Sequence, residues 1–72
     1  MKSAVIEINP NKVSGTPVFA GTRVPIKNLF DYLEGGETLE DFLEGFPPVT
    51  REQAVAVLEM AEKSLMKEVV PV

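Results

Sequence analysis

At 72 residues the chain has room for one small domain, and it has neither cysteine nor histidine. It therefore lacks the groups on which disulfide staples, the usual zinc sites and most acid–base or thiol catalysis depend. Its formal net charge of −4 argues against general affinity for nucleic acid, which needs cations to neutralise phosphates.

The charge is unevenly spread. Up to Phe30, Lys2, Lys12, Arg23 and Lys27 face only Glu7, whereas from Asp31 onward ten acids face Arg51, Lys63 and Lys67. A local basic surface is thus expected from the N-terminal segment and an acidic one from the rest. A core this small is marginal, so self-association as a homodimer is expected. Met1–Glu7 has no signal-peptide pattern, and no apolar run approaches the ~20 residues that span a bilayer. A cytoplasmic location away from membranes follows as the expectation.

Val5-Ile6-Glu7-Ile8 is β-branched and stops at Asn9-Pro10-Asn11, which predicts a first strand that Val13 prolongs. Gly15-Thr16-Pro17 and Gly21-Thr22-Arg23 bracket Val18-Phe19-Ala20. Two brief extended pieces around an Ala20-Gly21 turn are predicted, kept edge-like by Pro17 and Pro25. Pro25 suits the first turn of a helix, along which Ile26, Leu29, Phe30 and Leu33 form one apolar stripe ending at Gly35-Gly36. Thr38 caps a second helix with Glu40 and Asp41 in its first turn and a stripe of Leu39, Phe42, Leu43 and Phe46. Gly45 and Pro47-Pro48 stop it. Thr50 and Gln53 form a capping box for the third helix, with Val49 stapled to Ala54. Ala54, Val57, Leu58, Ala61 and Leu65 mark its buried face, and Val69–Val72 forms a tail.

The fold predicted is mostly α with a small N-terminal β element: a short β-hairpin followed by a three-helix, helix-turn-helix-like (homeodomain-like) bundle. Residues 1–72 form one domain, with the β segment over 1–25, the bundle over 26–67 and a tail over 68–72. An enzyme is not expected, because Ser3, Ser14 and Ser64 have no histidine to activate them. No cofactor, metal or small-molecule substrate is expected either. Glu34, Glu37, Glu40, Asp41 and Glu44 read as a solvated helix face rather than a cation site.

Two sets of residues are candidates for binding. On the third helix, Arg51 and Gln53 are side chains that read guanine and adenine edges, but helix-start chemistry, a solvated arginine and the back-bond of the capping box, is the favoured reading of both. Glu52, Glu59 and Glu62 oppose approach to phosphate there. In the segment from Gly15 to Lys27, glycine, proline and threonine specify a backbone path rather than a packed core. Arg23 and Lys27 on it would meet an acidic partner or a phosphate, unless Arg23 pairs with Asp31 or another acid of the helices.

Gly15-Thr16-Pro17-Val18-Phe19-Ala20-Gly21-Thr22-Arg23-Val24-Pro25 resembles the G-x-P-V-[IF]-x-G-T-R-[IV]-P signature of domain-of-unknown-function family 433 (DUF433). Leu33–Thr38, Phe46–Thr50, Gln53-Ala54 and Ala61 are similar to the family's downstream pattern. The resemblance implies a helix-turn-helix-like fold and an antitoxin-like role beside a PIN-like nuclease. The pattern carries over at Gly15, Pro17, Gly21, Thr22, Arg23 and Pro25, and partner contacts are expected on the same segment at Gly15, Pro17, Gly21, Thr22, Arg23 and Lys27. Binding and silencing such a nuclease is the leading expectation. A sequence-specific DNA-binding dimer using Arg51 and Gln53 is the alternative, and a dimerising module with an exposed first strand the third.

Overall fold

Glycines and prolines cut the chain into short pieces, each with one apolar side, and the pieces fold around a cluster of aromatic rings. The computed structural model describes residues 5–8 and 15–68. They form β1 (Ile6–Glu7), β2 (Val18–Phe19), α1 (Ile26–Glu34), α2 (Leu39–Gly45) and α3 (Arg51–Glu68). The stop at Asn9-Pro10-Asn11, the extension through Val13 and the tail from Val69 lie outside the described residues.

β1 and β2 pair antiparallel, with Ile6 opposite Phe19 and Glu7 opposite Val18. The Ala20-Gly21 turn forms as expected, but its second arm gives only one bridge, between Val18 and Pro25. Pro25 has no N–H to offer a ladder, so β2 finds its full partner in β1 instead. Ile26 N–H then donates to the Pro17 carbonyl at 3.0 Å and fixes where α1 begins.

α1 ends in a Schellman motif. Glu37 N–H donates to the Tyr32 carbonyl at 2.9 Å and Gly36 N–H to that of Leu33 at 3.2 Å. Gly36 supplies the positive φ, +88°, that this ending needs. α2 opens with a capping box in which Asp41 takes the place usually held by Glu or Gln. Asp41 N–H donates to Thr38 Oγ1 at 3.1 Å and Thr38 N–H to the Asp41 carboxylate at 3.0 Å.

Phe42 is fully buried at the centre, its ring centroid 5.8 Å from Phe19, 5.7 Å from Tyr32 and 5.1 Å from Phe46. Val24, Leu29, Val49, Ala54 and Val57 belong to the same core cluster, so both residues of the expected Val49–Ala54 staple are buried in it. The apolar stripes run differently from their predicted course at two positions. Leu33 is 36% exposed and Leu65 61% exposed, while Tyr32 packs against the cluster. Tyr32 also explains Gly45, which closes α2 rather than interrupting it: a Cβ there would lie 3.1 Å from the Tyr32 hydroxyl. Among the described residues, no helix is long and apolar enough to cross a membrane.

Phe42→Ala should cost about 3–5 kcal/mol, the usual loss for a buried ring, a large share of a small domain's total. A urea midpoint that moves no further than for an exposed substitution would contradict this. The Thr38 backbone N–H, followed by its hydroxyl, holds the Asp41 carboxyl below its ordinary value. A lowered carboxyl stabilises the fold above its unfolded pKa and loses that contribution as pH falls through the folded one. Asp41→Ala should therefore lower the melting temperature at neutral pH, and the difference from the parent should shrink progressively below about pH 4.

Candidate partner-binding site

The Phe19–Thr22 turn is built to hold one conformation. Thr22 N–H donates to the Phe19 carbonyl at 3.0 Å, and Gly21, third in the turn, has φ +77°. The Thr22 side chain is buried, its hydroxyl donating to the Phe19 carbonyl at 2.8 Å and accepting from Val24 N–H at 3.0 Å. Of the predicted contact residues, Gly21 and Thr22 are thus the scaffold of the turn.

Two further bonds tie this turn to distant elements. Gly21 N–H donates to the Glu7 carboxylate of β1 at 3.3 Å. Gln53 Nε2 of α3 donates to the Ala20 carbonyl at 3.0 Å. The same Gln53 amide closes the α3 capping box, its Oε1 accepting from Thr50 N–H at 3.1 Å. Gln53 N–H returns a bond of 3.1 Å to the Thr50 hydroxyl. The capping reading of Gln53 is therefore right, and the bond to Ala20 is an addition that local spacing had no means to show.

Arg23 follows directly on this pinned turn and is exposed. It makes no ion pair with Asp31 or with any other acid among the described residues. Asp31 is taken by Lys27 one helical turn away, Nζ to carboxylate 2.8 Å. That pair holds the Lys27 ammonium above its ordinary pKa through the hydrogen bond and then the charge of Asp31. The structure thus separates the two cations of the segment: Lys27 is partnered and Arg23 is open.

Pro17 and Lys27 come together along an open groove of about 610 Å³ between the β element and α1. Ile6, Ile26 and Phe30 give it an apolar floor, and Asp31 and Glu34 stand at its rim. Gly15, with φ +78°, turns the chain into Thr16, which also lines the groove. Arg51 lies elsewhere, paired with Glu40 of α2. Glu34, Glu37, Glu40, Asp41 and Glu44 are all exposed, and no acidic group among the described residues has the arrangement of a metal site.

The signature glycine, threonine and arginine thus have distinct physical jobs in one pinned turn. The family model described as "Protein of unknown function (DUF433)" matches residues 6–61. The chain belongs to the DUF433 family. A crystal structure of a DUF433 member protein from Anabaena variabilis superposes on it with a TM-score of 0.73 at 25% identity. The match covers 90% of this chain and 64% of that one, so this chain spans less than two thirds of the relative's length. No curated protein matches it. Among DUF433 chains that share the Gly-Thr-Arg motif and the glutamine, the same division of labour is open to comparison.

Gln53→Glu should keep the capping acceptor but lose the donor to Ala20 and set a charge against its carbonyl. A loss of about 1–3 kcal/mol is expected. Gln53→Ala, which removes cap and tether together, should lose more. Chemical denaturation of both variants checks the order, and equal stabilities for Gln53→Glu and the parent would contradict the tether.

Proposed function

We propose that this DUF433 protein is a non-catalytic binding domain, antitoxin-like in role, whose contact with its partner centres on Arg23. The observation that carries this reading is the pinning of the Phe19–Thr22 turn by Glu7 and Gln53 beside an arginine that has no partner among the described residues. A preorganised backbone lowers the entropy lost on binding, and arginine is a preferred anchor at interfaces. Its guanidinium offers five donors in a planar fork suited to carboxylates. The partner that fits is a protein with an acidic cleft, such as a metal-dependent nuclease, and the apolar groove at Pro17 and Lys27 gives further area to cover.

The DNA-reading alternative is weakened by the engagement of both its residues, Arg51 by Glu40 and Gln53 by Ala20 and Thr50. Gln53 has both ends of its amide committed to contacts of the fold, and Arg51 shares its guanidinium with an acid that opposes phosphate.

Co-expression with the product of the neighbouring gene, followed by co-purification, tests the proposal. Arg23→Ala should weaken the complex about tenfold or more, the scale of a buried interfacial anchor, with no change in thermal melting. Arg23→Lys should recover only part of that, since lysine lacks the fork. Retention of full affinity by Arg23→Ala would remove Arg23 from the contact, and absence of any complex would overturn the antitoxin-like reading.

A further inference from the structure

α3 has 18 residues, but the core uses only its first half. Ala54 and Val57 are buried and Ala61 half-buried, whereas every residue from Glu62 to Glu68 is exposed. A second set of positions runs along a different side. Arg51, Val55, Leu58, Glu62 and Leu65 are spaced alternately by four and three residues, the alternation of a coiled-coil seam. At 3.6 residues per turn they lie within about 80° of one another around the helix. Val55 is 38% exposed, Leu65 61% exposed, and Leu58 half-buried. In the sequence the same spacing continues to Val69 and Val72.

We propose that this seam docks a second copy of the chain in antiparallel orientation. Val55 of each copy packs on Leu58 of the other, and Arg51 of each faces Glu62 of the other. Charge complementarity selects both the occupant and the direction. A parallel, in-register pair would set Glu62 against Glu62 and Arg51 against Arg51. An antiparallel pair shifted by one heptad would press Glu62 onto Leu58, covering a carboxylate with no cation beside it.

The register proposed here gives both seam charges an opposite one. It is symmetric about a twofold axis between residues 56 and 57, so it closes as a dimer instead of growing into a chain. It also lays Leu65 of one copy beside Pro48 of the other, and both are exposed in the single chain. Arg51 keeps an exposed side chain while it holds Glu40, which leaves part of its guanidinium for Glu62 of the second copy. Glu52 and Glu59 fall on the rim and repel across the axis, a cost that salt screens.

Sedimentation equilibrium on the full chain, from about ten to a few hundred micromolar, tests this. The parent should be dimeric within that range, and Leu65→Glu and Val55→Glu should be monomeric with unchanged circular dichroism. Glu62→Arg and Arg51→Glu should each weaken the dimer about tenfold or more. Mixing those two variants should restore it, because each seam contact of the mixed dimer then pairs opposite charges. A parent that stays monomeric, or single variants whose mixture does not associate better than either alone, would overturn the proposal.

Discussion

The Gln53 carboxamide joins three things that would otherwise move independently: the first turn of α3, the Phe19–Thr22 turn and, through that turn, the β element. Its oxygen caps the helix and its nitrogen holds the Ala20 carbonyl. A carboxylate in this place could do only the first, so the choice of glutamine over the more common glutamate is a choice for the tether. Once Ala20 is fixed, Phe19 is fixed behind it, and Phe19 is one side of the ring cluster on which Phe42, Tyr32 and Phe46 assemble. The same bond thus ties an exposed loop to one side of the core, alongside the backbone bonds that Phe19 and Ala20 make to Val24 and Val5.

That coupling gives physical content to the separation of charge along the chain. Near the turn, Thr22 is committed to the backbone on either side, Glu7 to Gly21 and Lys27 to Asp31, while the Arg23 guanidinium has no ion-pair partner among the described residues. On the helices, by contrast, acids are abundant, exposed and mostly unpaired among the described residues. On the proposed reading, a surface with one arginine unpaired among the described residues and carboxylates elsewhere discriminates by position more than by net charge. Such a pattern suits recognition of one protein surface better than the diffuse attraction that phosphate backbones demand.

Much of this was legible in the sequence, because the signals that worked are local. Proline and glycine placement gave the helix boundaries, Gly36 its positive φ, and the T-x-x-Q pattern the start of α3. The Ala20-Gly21 turn was likewise visible, since only glycine takes the third place at no cost. What stayed hidden depends on contacts between segments far apart in the chain. Nothing in the spacing of Thr50 and Gln53 says that the free nitrogen of the amide meets a carbonyl 33 residues earlier. Tyr32 lies off the periodic stripe of α1 and enters the core because Gly45 leaves a place for its ring. Arg23 and Lys27 looked alike as cations on one loop, and a single i,i+4 contact separated them.

The misplacement of Leu65 has a more specific cause. Ala54, Val57 and Ala61 face the core, Val55 lies away from it, and Leu58 and Leu65 sit between the two. At 100° per residue Leu65 is only about 20° around the helix from Ala54. Periodicity alone therefore merges them into one broad face and assigns Leu65 to the core. The structure parts them by length: the body of the domain ends near Ala61, and α3 does not. Among the described residues, Leu65 follows the helical repeat past the last element that covers it. In the proposed dimer Glu62 carries the deciding information, since an acid covered by an apolar seam is tolerable only in the alignment that brings it a cation.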